Sequence, residues 1–285
     1  MTTISLDFSR RRELGLHAEV VSDVGAATWP LGITPLIVGA FARDLHLLHG
    51  QAVATLRQTE DIDFALAVPD WAAFDALRKQ LIDGGSFTGA STPAHRLRHR
   101  NGLPVDLVPF GGVETRDRTV AWPPRGEVVM NTLGFREALA SACEVMLPGG
   151  VLARVAALQA LALLKIICWR DRHYAWPRKD ALDLILIVKN YLSAGNEPRL
   201  FDAFVEWTQE ESFDYELAGA RMLGYDIRGL LDGVSTETVA GLLTEQADAR
   251  TPARLPAEMA PGNPDRARAL LAAMARGITE RRLTT

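Results

Sequence analysis

The amino-acid sequence predicts an α+β protein whose strands are confined to its first half, on three observations. Short apolar runs bounded by turn-forming residues recur before residue 155, as in Pro35-Leu36-Ile37-Val38-Gly39 and Ile62-Asp63-Phe64-Ala65-Leu66. From Ala156 onward the apolar spacing is helical. The 285 residues also suit two modest domains better than one, placed at 1–155 and 156–285.

In order along the chain, Glu13 to Trp29 has helix-compatible spacing behind a basic cluster, Arg10-Arg11-Arg12, that reads as a solvated helix end. Pro35 to Gly39 is a buried strand stopping at a glycine, and Ala40 to Gly50 is a helix closed by Gly50. Amides at such a helix start suit phosphate oxygens, because the first N–H groups have no partner within the helix. Asp61 to Val68 is a second strand. Side chains at i and i+2 share a face there, so Asp61 and Asp63 project together, about 6–7 Å apart, while Ile62 and Phe64 face the core. Aspartate is depleted from strands and the two carboxylates repel, so the pair calls for a cation, Mg²⁺ or Mn²⁺.

Asp70 is the expected N-cap of a helix from Trp71 to Asp83, ended by Gly84-Gly85. Asn101-Gly102, between two alternating segments, predicts a hairpin. A two-residue loop pairs Leu97 with Asp106, and a three-residue loop including Leu103 pairs Arg98 with Asp106. Arg96, Arg98 and Arg100 share a face that is solvent-exposed by default, with phosphate contact as the second reading. Asp106 lies between Val105 and Leu107, a place that holds a charge only with a partner. The stretch from Gly111-Gly112 to Glu127 reads as loop, with Trp122-Pro123-Pro124-Arg125-Gly126 as a rigid turn. A helix from Phe135 to Cys143 and a hairpin around Pro148-Gly149-Gly150 close the first half.

In the second half Lys165 interrupts an aliphatic helix, where it either snorkels to solvent or serves a site. Trp176-Pro177 introduces the next helix, in which Lys179 and Asp183 form a plain i, i+4 pair. Four further helices are expected, at Arg199 to Glu210, Tyr215 to Leu223, Glu237 to Gln246 and Pro264 to Arg276, with Thr251 to Pro264 a proline-rich link.

The composition excludes several classes. A net charge of −4 argues against a coat of positive charge for wrapping long nucleic acid. Cys143 and Cys168 make neither a disulfide framework nor a multi-cysteine zinc site, and read as buried reduced thiols. The longest apolar stretch, Val151 to Trp169, is broken by Arg154, Gln159 and Lys165, which fits a core helix and no membrane span. With no signal-peptide pattern at the start, the expected location is cytoplasmic.

Gly39-Ala40-Phe41-Ala42-Arg43-Asp44, then Asp61-Ile62-Asp63, then Asp106 in VDLVPF resemble the glycine motif, D-x-D strand and third carboxylate strand of the nucleotidyltransferase superfamily, whose fold is DNA polymerase β-like. The second half, with LALLKI and RKDALDL, resembles the AbiEii/AbiGii-type nucleotidyltransferase toxins of bacterial toxin–antitoxin and defence systems. The resemblance implies a mixed sheet flanked by helices, then a helical domain completing a cleft. It implies that Asp61, Asp63 and Asp106 hold metal and that Gly39, Ala40, Arg43 and Lys165 bind nucleotide. Lys165 and Asp180 match an active-site lysine and aspartate of the toxin group. Ala40 stands where many members have serine or glycine, so a hydroxyl contact to phosphate is missing. The implied reaction moves an NMP from an NTP to an acceptor hydroxyl on tRNA, another RNA or a protein, with an antitoxin as partner. The alternatives are a catalytically silent binding module with the same fold, or a metal-dependent phosphohydrolase or nuclease.

Overall fold

The computed structural model describes residues 5–54, 59, 61–89, 95–123, 126–175, 178–250 and 252–280. The chain forms two compact units, one of Met1–Leu45 and Leu56–Ala157, the other of His46–Thr55 and Leu158–Thr285. Trp176-Pro177, Pro124-Arg125 and Thr251 lie outside the described residues.

The first unit is a mixed sheet with helices. Its elements are β1 (Leu6–Asp7), α1 (Gly15–Thr28), β2 (Pro35–Val38), α2 (Gly39–Asp44), β3 (Ile62–Val68), α3 (Trp71–Asp83), β4 (Phe87–Gly89), β5 (Arg96–His99), β6 (Pro104–Gly111), β7 (Thr119–Ala121), β8 (Val129–Asn131), α4 (Phe135–Ala140), β9 (Cys143–Leu147) and β10 (Val151–Val155). Eight strands join in the order β1-β9-β10-β2-β3-β6-β5-β4, and β7 pairs with β8 apart from them. At the centre β3 runs antiparallel to β2 and parallel to β6. A parallel neighbour needs a crossover, here through α3, β4 and β5.

The alternation in β3 has its expected consequence. Ile62, Phe64 and Leu66 are fully buried, while Asp63 between them stays half-buried. Asp70 caps α3 by accepting the Ala73 N–H at 2.8 Å, satisfying one of the orphan donors of its first turn.

Four details differ from the sequence reading. The stretch to Glu127 is not all loop, because β7 lies within it; three-residue strands are too short to show a period. The helix after Gly39 does not close at Gly50 but continues through a π-helical turn, Leu45–His49, to residue 51. The left-handed residue that follows is Ala52, at φ 55°. The helix predicted to reach Cys143 ends at Ala140, since Cys143 already pairs with Val155 in the hairpin. Cys143 and Cys168 are unbridged but partly exposed, not buried as expected.

The second unit is helical: α5 (Leu158–Arg172), α6 (Lys179–Asn190), α7 (Glu197–Phe201), α8 (Tyr215–Leu230), α9 (Gly233–Ala247), α10 (Arg254–Met259) and α11 (Pro264–Thr279). Leu161, Ile166, Leu184, Leu223, Leu270 and Met274 are fully buried in its core. The helix expected from Arg199 to Glu210 is broken, with α7 ending at Phe201 and a 3₁₀ turn following at Val205–Gln209. The proline-rich link contains α10, where Leu255 and Met259, one turn apart, are both buried. Pro256 is tolerated there because first-turn amides have no helical partner. No described helix is long and apolar enough to cross a membrane.

Candidate active site

The site forms where β3 and β6 lie side by side. In their parallel register Asp63 stands directly opposite Asp106. Asp61 comes two residues before Asp63, immediately outside the strand. The three offer carboxylate oxygens that all lie within 4.8 Å of one another. Three hard oxygen donors at this spacing suit Mg²⁺ or Mn²⁺ and offer nothing to a thiophilic ion. Histidine and cysteine are absent from this group among the described residues. His95, the neighbour of Arg96, has its imidazole pushed down chiefly by burial, with Asp106 pulling the other way.

The glycine turn belongs to this same place. Gly39 has φ 71°, and a Cβ added there would collide with the Asp63 carboxylate. Both facts require glycine. The helix start has no side-chain cap, and Ala40 is buried behind it. Arg43 is also buried, its Nε and Nη2 bonded to Asp44 Oδ1 at 2.9 and 2.5 Å, while the Thr59 hydroxyl donates to Asp44 Oδ2. Gly39→Ala is therefore expected to destabilise the protein by about 1–3 kcal/mol and to disturb Asp63 as well. Thermal unfolding together with the transfer rate checks this; a variant with both unchanged would contradict the close approach.

The hairpin carrying Asp106 corrects both registers read from the sequence. Its loop has three residues, Arg100-Asn101-Gly102: the Gly102 N–H donates to His99 O and the His99 N–H to Leu103 O, each at 2.9 Å. Gly102 takes φ 95°, so Asn101-Gly102 forms the end of a turn with a left-handed bulge instead of a two-residue loop. This shift places Arg96 opposite Asp106 and Arg98 opposite Pro104. Arg96 is thus not merely solvent-facing. Its Nε and Nη2 bond Asp106 Oδ1 and Oδ2 at 2.7 and 2.6 Å, and Nη2 reaches Asp61 Oδ2 at 3.1 Å. Arg98 is exposed and donates to Gly102 O, and Arg100 donates to the Ser86 hydroxyl. The signal available for Arg96 was the alternation itself, which singled out the arginine row without fixing its register.

In the second unit Lys165 does not snorkel. It is 7% exposed, and its Nζ lies 2.5 Å from Asp183 Oδ2 and 3.2 Å from Asp180 Oδ1. Asp180 also accepts Arg172 Nε and Nη2 at 2.8 and 2.9 Å. The plain Lys179–Asp183 pair is corrected accordingly: Asp180 and Asp183, three residues apart on α6, share a buried face toward Lys165. Burial acts to lower the Lys165 ammonium, yet Asp183 and Asp180 outweigh it and hold the pKa above its ordinary value.

No curated protein matches the chain. Among solved structures, it resembles the antibiotic-resistance factor ANT(2'')-Ia at 16% identity, over 68% of this chain and 94% of that one, with a TM-score of 0.38. A nucleotidyltransferase-like protein from Paracoccidioides brasiliensis gives 20%, 68%, 88% and 0.40, and a Thermotoga maritima CCA-adding enzyme complexed with tRNA gives 13%, 91%, 80% and 0.24. TM-scores this low carry no argument about the site. The decisive match is the family described as nucleotidyl transferase AbiEii toxin, type IV toxin–antitoxin system, which spans residues 36–277. The chain belongs to the AbiEii family of nucleotidyltransferase toxins.

Proposed function

We propose that this nucleotidyltransferase moves an NMP from an NTP to an acceptor hydroxyl on an RNA, tRNA included, or on a protein. In this reading it acts in the cytoplasm as the toxin of a toxin–antitoxin pair. The observation that carries the reading is the register of Asp63 against Asp106, with Asp61 beside them and Gly39 against Asp63.

Asp61, Asp63 and Asp106 would hold Mg²⁺ or Mn²⁺, which supplies Lewis acidity to the α-phosphate and lowers the pKa of the attacking hydroxyl. Asp106 takes the proton from the acceptor hydroxyl as the new oxygen–phosphorus bond forms at the α-phosphate. The bond from that phosphorus to the bridging oxygen breaks, and pyrophosphate leaves with the electron pair. Gly39 and Ala40 present backbone amides to phosphate oxygens, and Arg43, clasped by Asp44, stiffens the turn that carries them. Lys165 and Asp180 enter from the family resemblance alone, as the matches to an active-site lysine and aspartate.

The test incubates the purified chain with each α-labelled NTP, Mg²⁺, and either total RNA or a protein lysate, followed by nuclease or protease. Label is expected in one acceptor class and is lost on chelation. Nucleotide binding without incorporation would favour the silent module, and cleavage of RNA or phosphate esters without incorporation would favour the hydrolase.

A further inference from the structure

Three carboxylates with oxygens inside 4.8 Å repel one another at neutral pH, and the cost grows as water is excluded. The Arg96 guanidinium answers this charge through two bonds to Asp106 and one to Asp61. Its planar fork matches a carboxylate edge, and charge-assisted pairs of this kind are among the stronger hydrogen bonds. The oxygens it takes are those a divalent cation would need. Its side chain is 42% exposed, in contrast to the 3% of Arg43, so its head can leave without opening the core. As an arginine, its side chain stays charged throughout.

We propose that Arg96 is a resident counter-ion of the carboxylate centre, displaced when a divalent cation binds, and that the triphosphate of the NTP is the anion it then takes up. The inference rests on the metal-dependent reading above. Metal alone must break the bonds of Arg96 to Asp106 and Asp61 and leave the guanidinium without an anionic partner. Nucleotide supplies that partner, because phosphate oxygens accept the same bidentate fork. Metal and nucleotide therefore bind with positive coupling, and by linkage each strengthens the other equally. In protein without nucleotide, Arg96 keeps metal affinity low.

The experiment is calorimetric titration of Mn²⁺ into the full chain, as wild type, Arg96→Met and Arg96→Lys, with and without the α,β-methylene analogue of each NTP. Without nucleotide, Arg96→Met is expected to bind Mn²⁺ roughly tenfold more tightly than wild type, the scale of one charge-assisted bond. The strengthening of Mn²⁺ binding by the analogue is expected to be smaller in Arg96→Met than in wild type. Equal or weaker Mn²⁺ binding by Arg96→Met, while wild type binds, overturns the role of Arg96 and leaves the metal centre standing. Absence of Mn²⁺ binding in both proteins removes the metal reading and this inference with it. If Arg96→Met does not fold, Arg96→Lys decides: the fork is lost and the charge kept, so Mn²⁺ binding tighter than wild type is expected, and affinity equal to or weaker than wild type overturns the proposal.

Discussion

Asp63→Asn is expected to lower nucleotidyl transfer by roughly 10³-fold or more while leaving the thermal unfolding transition nearly unchanged. The variant keeps the shape and the strand pairing of the parent residue and removes only a charge. Asp63 faces Asp106 across the β3–β6 register, so neutralising it relaxes repulsion inside the cluster. Arg96 keeps its bonds to Asp106 and Asp61, so the hairpin remains anchored. What is lost is one of three oxygen donors, and with it the charge that holds a hard cation against a triphosphate. A steady-state transfer assay beside a melting curve checks this. Full activity in a folded Asp63→Asn protein would end the assignment of Asp63.

Asp180→Ala is expected to destabilise the protein by about 3–5 kcal/mol, because it strips Lys165 of one carboxylate and Arg172 of its two bonds to Asp180. The same residue predicts a pH dependence. Burial acts to raise the Asp180 carboxyl, but the Arg172 hydrogen bonds and the Lys165 charge outweigh it and hold the folded pKa below the ordinary value. A depressed folded pKa means that the unfolded state binds the proton more readily. The contribution is therefore complete above the unfolded value of about 3.9 and is lost as pH falls through the lowered folded value. The gap in melting temperature between wild type and Asp180→Asn should hold steady from neutral pH down to about 4 and narrow as pH falls further. Parallel curves would contradict the ion pair.

How much of this was legible in the chain depends on the range of each interaction. The Asp61–Asp63 spacing and the isolation of Asp106 in an apolar strand are local facts, and local pattern was enough to group them. The Asp70 cap was legible for the same reason: a short polar side chain ahead of an amphipathic run has one good use. Register was not legible, because Asn101-Gly102 serves both a two-residue loop and a bulged three-residue loop, and only the wider packing selects one. That ambiguity hid Arg96. Asp183 was misassigned because i, i+4 pairing with Lys179 is a surface argument, whereas the buried face of α6 is set by what packs against it. The short strands β1, β4, β7 and β8 have too few residues for a period to emerge, and the partner of β1 is far off in sequence.

The most direct measurement of the central claim uses one NTP labelled separately at its α- and γ-phosphates, with Mg²⁺ and the acceptor fraction. Attack at the α-phosphate predicts α-label on the acceptor, γ-label in released pyrophosphate, and neither when Asp106 is replaced by asparagine. γ-Label on the acceptor, or transfer that survives Asp106→Asn, would contradict the assignment of this carboxylate centre to nucleotidyl transfer.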